Sequence, residues 1–193
     1  MATSMHTKLL GIIGTPVEHT LSPKMHSFIA ERAGMDTAYL AFDVQPAHLG
    51  EVLSAMAHAG ALGFNITAPH KIAVMDYLSE IDPAAALMGT VNTVVNHDGR
   101  WIGYNTDGEG FVGSLEFDHG PVAGKDVLLL GAGGSARSVA YLFAKKGARS
   151  ITVTGRTPEK VRQILDVIDA HTDAKTSDDM DNLPGYDFIV NTT

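Results

Sequence analysis

Asp126-Val127-Leu128-Leu129-Leu130-Gly131-Ala132-Gly133-Gly134-Ser135-Ala136 is the stretch whose reading decides the fold. After Asp126 it is continuously apolar to Leu130, the pattern of a strand buried on both faces of a parallel sheet. Gly131–Gly134 crowds glycines into a turn, and Ser135–Lys146 reads as a helix. Strand, glycine-rich turn and helix in this order give the GxGxxA form of a dinucleotide fingerprint. The glycines allow a tight turn and close approach of backbone to a pyrophosphate, which rests on the helix N-terminus. Gly131, Ala132, Gly133, Gly134 and Ser135 are the expected cofactor contacts. The context supports the motif: Ser150–Thr154 reads as a second strand, Pro158–Ala170 as a helix and Tyr186–Asn191 as a last strand.

The residues after the second strand say which dinucleotide. A site for NAD places Asp or Glu there, to hold the ribose 2′-hydroxyl. This chain has Thr154-Gly155-Arg156-Thr157 instead. The Arg156 guanidinium can pair with a 2′-phosphate and stack on adenine, so NADP is favoured. Gly155, Thr157 and Lys160 join Arg156 in the cofactor set. Thr157 followed by Pro158 is equally a helix N-cap.

Upstream, strands and helices also alternate. Lys8–Gly14, Thr37–Val44 and Gly63–Thr67 read as strands. Ser22–Ala33 reads as a helix with Ser22 as N-cap, Pro23 at its first position and Gly34 as its stop. Pro46–Ala59, Pro69–Leu78 and the short Asp82–Met88 are further helices, two of them opened by proline. Val91–Asn96 and Arg100–Tyr104 flank Asp98-Gly99, a strong hairpin signal, so the first sheet should be mixed. Thr106–Leu115 reads as a helix, ended before the breaker His119-Gly120-Pro121. Such alternation predicts an α/β protein of two domains: residues 1–106 for substrate and 107–193 as a Rossmann-like cofactor domain.

Composition excludes several functions. The chain has 193 residues, 45% of them apolar and 19% charged, as in a globular protein. A net charge of −8 leaves no basic footprint for nucleic acid. There is no cysteine, so disulfides and thiolate chemistry are excluded. The nine histidines show no metal-ligand spacing, and no metal is expected. The apolar run Leu9–Ile13 is too short for a signal peptide and broken by Gly11, and no stretch approaches the roughly 20 apolar residues of a membrane span. A cytoplasmic protein is the default expectation.

The first block holds polar clusters at predicted strand ends, where open α/β sheets bind ligands. They are His19-Thr20-Leu21-Ser22-Pro23, Asn65-Ile66-Thr67-Ala68-Pro69-His70-Lys71, Asn92-Thr93 and Asn105-Thr106-Asp107. With Gly14–Val17, Gly89–Val91, Gly103–Gly108, Gly131–Arg137 and Gly155–Thr157, these segments make the chain resemble the shikimate dehydrogenase family from about Leu9 to its last residue. The resemblance implies reversible hydride transfer between NADPH and 3-dehydroshikimate, giving shikimate. It implies that Thr20 and Ser22 bind the substrate carboxylate. It places Thr67, Lys71, Asn92 and Asp107 around the ring hydroxyls, with Lys71 and Asp107 as the catalytic pair. Reduction of a ketone builds alkoxide charge that must be stabilised and protonated, which suits a lysine held by a carboxylate.

Departures from the family pattern carry their own expectations. Thr20 stands where serine is more common, which bears on shikimate against quinate. His70 stands where phenylalanine is common and is expected to be partly exposed. Gly155 replaces an asparagine, and Thr90 replaces an alanine with no expected effect. Asn191-Thr192-Thr193 resembles the start of a longer family segment, so the cofactor domain is expected to be incomplete, with apolar surface left on both domains. The partners expected are a small-molecule substrate and no nucleic acid or membrane, with the chain a monomer or homodimer. A shikimate- or quinate-sensing module is the rival reading, as is another NADP oxidoreductase of like architecture.

Overall fold

Residues 3–178 and 185–193 are described in the computed structural model. The chain divides into two compact units: Met1–Pro83 with Val91–Tyr104, and Ala84–Thr90 with Asn105–Thr193.

The first unit is built on β1 (Lys8–Gly14), whose buried second half lies between β2 (Thr37–Asp43) and β3 (Gly63–Ile66), both parallel to it. β5 (Thr93–His97) and β6 (Arg100–Tyr104) continue the sheet antiparallel. Their turn uses Asp98 and Gly99, both at positive φ (52° and 83°), as an Asp-Gly hairpin requires. A two-residue strand, β4 (Glu80–Ile81), pairs parallel with β6 and closes the order β2-β1-β3-β5-β6-β4. The sheet is mixed, as the hairpin implied. β4 was not foreseen, because two residues carry no alternation to read.

Three helix expectations in this unit need correction. α1 spans Ser22–Arg32, but Leu21 and not Ser22 holds the N-cap position, and no side chain caps it. Leu21 already has near-helical backbone (φ −91°, ψ −5°), whereas a capping residue needs extended backbone. Pro46–Ala59 is two pieces: a 3-10 turn at Pro46–His48, then α2 (Leu49–His58). Pro69–Leu78 is one α-turn, α3 (His70–Ala73), followed by a 3-10 turn at Val74–Tyr77. Pro69 precedes α3 in non-helical backbone instead of opening it. Ile13, Leu49, Leu53, Phe64, Ile66, Val74 and Trp101 are buried in this unit. The indole Nε1–H of Trp101 donates to Leu53 O at 2.9 Å, which satisfies the polar end of a buried ring.

α4 (Pro83–Met88) runs from the end of the first unit into the second. α5 (Asp107–His119) extends a turn beyond the expected Leu115 and stops at Gly120, which takes φ 80°. β7 (Asp126–Leu130), β8 (Ser150–Thr154), β9 (Lys175–Ser177) and β10 (Phe188–Asn191) form a wholly parallel sheet in the order β10-β7-β8-β9. β9 is three residues long and was also missed. α6 (Gly134–Lys145) and α7 (Pro158–His171) complete the α/β pattern. α6 lies deep: Ala136, Val139, Ala140, Phe143 and Ala144 join Val127, Leu129, Ile151, Val153, Ile164 and Ile168 in one core. Leu21, Met25, Phe28 and Ile29 are exposed in the first unit, and Phe117 and Ile189 in the second. Among the described residues no helix is long and apolar enough to cross a membrane.

Candidate active site

In the second unit a cavity of about 670 Å³ opens where β7 and β8 end. Leu130, Gly131, Ala132 and Gly133 line one side; Thr154, Gly155, Arg156, Thr157 and Lys160 line another. Thr192 and Thr193, directly after β10, complete it. Nearly the whole expected cofactor set is thus gathered; Gly134 and Ser135 sit just inside α6, off the lining. The threonines Thr154, Thr192 and Thr193 had not been picked out as site residues. Their signal was positional, since each ends or follows a strand at the carboxyl edge of the sheet.

The glycine turn has two distinct uses. Gly131 takes φ 122°, and a Cβ there would stand 2.7 Å from the Thr192 hydroxyl, so packing and backbone both demand glycine. A Cβ on Gly133 would meet nothing within 4 Å, so no neighbouring atom demands glycine there. Uncovered backbone at such a turn suits the close approach of a pyrophosphate. Gly133 is also the N-cap of a twelve-residue helix and has no side chain with which to satisfy the first-turn N–H groups. Those donors suit an anion. Thr157 occupies the N-cap position of α7, but its side chain makes no cap hydrogen bond. Arg156 and Lys160 are exposed at the cavity and bring two positive charges to it. The residues fit a phosphorylated dinucleotide. Gly155 keeps this wall close to the turn, since a Cβ there would already lie 3.1 Å from that of Ala132.

The first unit holds the other cluster. The Thr20 hydroxyl donates to Ser22 Oγ (3.1 Å), and the Ser22 N–H donates back to Thr20 Oγ1 (3.3 Å). Thr67 is anchored by its N–H to Ile13 O (2.9 Å) and accepts the His70 N–H (2.9 Å). Its methyl lies where a Cβ on Gly14 would sit, at 2.3 Å, so Gly14 is what allows Thr67 its place. Lys71 is half-buried in α3, and its carbonyl accepts the Val91 N–H at 2.8 Å. Asn92 is buried, joins Tyr104 O and the Ile66 N–H through its backbone, and accepts the Thr93 hydroxyl on Oδ1 at 2.9 Å. Thr20, Ser22, Thr67, Lys71 and Asn92 are therefore all in the first unit. Asp107 belongs to the second, as the first residue of α5, with its N–H given to Asn105 Oδ1 at 3.1 Å.

Two expectations about neighbouring residues fail. His70 is not partly exposed: it is fully buried, and its Nε2 lies 2.7 Å from Val44 O, which fixes Nε2–H as the donor. Its Nδ1 has no hydrogen-bond partner. Thr90 is also fully buried, with its hydroxyl unpaired, so this position is more constrained than its sequence suggested. No group of three or more His, Asp or Glu among the described residues is arranged to hold a metal.

A Rossmann-like unit shaped for a phosphorylated dinucleotide, in a chain with a second α/β unit rich in hydroxyl, amide and lysine groups, defines a dinucleotide-dependent oxidoreductase. Residues 12–94 match the family model for the shikimate dehydrogenase substrate binding domain, and residues 115–193 that for shikimate / quinate 5-dehydrogenase. The chain belongs to the shikimate dehydrogenase family. It is 44% identical to a shikimate dehydrogenase (NADP(+)) of Bacillus cereus strain G9842, over 96% of this chain and 69% of that protein. A solved shikimate dehydrogenase in complex with NADP+ matches with a TM-score of 0.91 at 42% identity, over 100% of this chain and 68% of that one. The Thermus thermophilus enzyme, solved with NADP(H) and shikimate, matches with a TM-score of 0.88 at 32% identity, over 97% of this chain and 69% of that one.

Proposed function

We propose that the chain catalyses the NADP-dependent interconversion of 3-dehydroshikimate and shikimate. The observation that carries this reading is the Thr20–Ser22 hydroxyl pair at the opening of the eleven-residue helix α1, in the same unit as Lys71. Two adjacent hydroxyls at a helix start suit a carboxylate, and a general ketone reductase has no use for them. Thr67 and Asn92 then meet the ring hydroxyls. Bound NADPH supplies the hydride, in a site held by the Gly131–Gly133 turn, Arg156, Thr157 and Lys160.

As the hydride reaches the carbonyl carbon, the carbonyl π pair moves to oxygen. Lys71 donates a proton to that oxygen, and Asp107 is the second residue of the proposed catalytic pair. In the reverse direction the same lysine accepts the proton. The chain is proposed to work in the cytoplasm as a monomer or homodimer.

The test follows reduced cofactor by absorbance, with NADP or NAD against shikimate or quinate. NADP with shikimate is expected to react fastest. No reduction with any pairing would overturn the reading and favour a sensing module. Lys71→Ala should lower kcat by about a hundredfold or more, with a smaller effect on shikimate affinity; unchanged turnover would remove Lys71 from the mechanism. Quinate is the second reading, favoured by the extra methyl of Thr20 beside the carboxylate site, and the same assay ranks the two substrates.

A further inference from the structure

Tyr39, on β2, lies outside the residues given a role so far, yet it starts a run of hydrogen bonds. Its hydroxyl donates to Asn65 Oδ1 at 2.7 Å. Asn65 Nδ2 donates to Thr93 Oγ1 at 3.4 Å, and the Thr93 hydroxyl donates to Asn92 Oδ1 at 2.9 Å. On the other side Ser22, whose Oγ accepts the Thr20 hydroxyl, lies beside the phenol. The donors run one way, from Tyr39 through Asn65 and Thr93 to Asn92. Tyr39 is buried and its ring is stacked on His26, with centroids 4.2 Å apart and planes within 9°.

We infer that Tyr39 is a positioning residue: through Asn65 and Thr93 it sets which end of the Asn92 amide meets the substrate. A phenol has one proton. Burial pushes its pKa up to about 12, against the smaller lowering by Ser22, so that proton stays in place at any working pH. Given to Asn65, it fixes the Asn65 oxygen towards Tyr39 and the Asn65 NH₂ towards Thr93. Thr93 then has its oxygen occupied and turns its proton to Asn92 Oδ1. The Asn92 oxygen thereby accepts from Thr93, and the amide is held with its NH₂ turned away from Thr93. Without the phenol, the Asn65 amide can turn over and each later link loses its direction.

This inference rests on the proposed role of Asn92 at the substrate, and calorimetric binding of shikimate to the whole chain tests the two separately. Tyr39→Phe keeps the ring and its stacking on His26 and removes only the hydroxyl. It should weaken shikimate binding about fivefold, the loss of one modest hydrogen bond. Thr93→Val, an isosteric change on β5, should weaken it by a similar factor, and the two together should cost no more than either alone. On an Asn92→Ala background neither should change affinity by more than about twofold, the usual error of additivity. Unaltered binding by Tyr39→Phe would overturn the inference, and so would the same fivefold loss persisting after Asn92→Ala, since that marks a purely structural role. Wild-type chain that binds no shikimate would overturn the functional reading itself, and this inference with it.

Discussion

Arg156 is the residue proposed to distinguish two cofactors that differ by one phosphate, and it stands exposed on the cavity wall. A guanidinium paired with a phosphate contributes roughly 1.5–3 kcal/mol. Arg156→Ala should therefore lower kcat/KM with NADP by about ten- to a hundredfold, while NAD, which has no 2′-phosphate, changes by less than about threefold. Equal losses with the two cofactors would show that Arg156 supports the loop and does not read the phosphate. Its place at the cavity was legible in the sequence because that depends only on its following a strand. His70 shows the opposite case. It is buried against Val44 O, a partner 26 residues away that the local sequence does not reveal. The Tyr39 run was hidden for another reason. Tyr39, Asn65 and Thr93 are far apart along the chain and meet only once β2, β3 and β5 have taken their places in one sheet.

Elements are held at their ends by polar contacts as well as by the core. At the start of β7 the Asp126 carboxylate accepts from Arg149 Nε at 2.9 Å, from Arg149 Nη2 and from the Ser150 hydroxyl at 2.6 Å. The Asp126 N–H donates to Asp187 Oδ2 at 2.9 Å, and Lys125 Nζ donates to Asp187 Oδ1 at 3.1 Å. This cluster joins β7, β8 and the approach to β10 at the sheet end opposite the cavity. The Arg149 hydrogen bonds, then that of Ser150, lower the Asp126 pKa from 3.8 to about 2. A carboxylate with a lowered pKa in the folded state stabilises the fold above its unfolded value and loses that contribution as pH falls through the folded value. Asp126→Asn should thus lower the melting temperature at pH 7, and the gap from wild type should close between about pH 4 and pH 2. A gap that stays constant over that range would mean that the charge on Asp126 contributes nothing. The long elements with clear periodicity, β1, β7, β8, α6 and α7, were readable before any coordinates. β4 and β9 were not, because strands of two and three residues exist only by pairing with a neighbour. The cap given to Ser22 and the helix start given to Pro69 were misplaced for a related reason: proline marks the neighbourhood of a start but does not say which residue carries the cap.

At the scale of the whole chain, two units that each hold residues proposed to bind a ligand predict separate responses to ligands. Thr20, Ser22, Thr67 and Asn92 belong to the first unit, and the Gly131–Gly133 turn with Arg156 and Lys160 to the second. A ligand stabilises what it binds by RT ln(1 + [L]/Kd), about 2.7 kcal/mol at a hundred times Kd, provided that the unfolded chain does not bind it. Hydrogen exchange followed residue by residue can place that stabilisation. Shikimate should slow exchange at the Thr67 and His70 amides, which close the turn after β3, and at the Ile66 and Asn92 amides beside it. NADP should slow exchange at Gly131, whose N–H bonds to Thr154 O at 2.7 Å, and at Arg137 in the second turn of α6. The identity of the ligand then determines which set responds. If shikimate protected only the second set, or NADP only the first, the assignment of substrate to the first unit and cofactor to the second would be reversed. If Tyr39→Phe reduced the protection by shikimate at Asn92 while leaving that by NADP at Gly131 unchanged, the relay through Asn65 and Thr93 would be visible in the same measurement, without reliance on turnover.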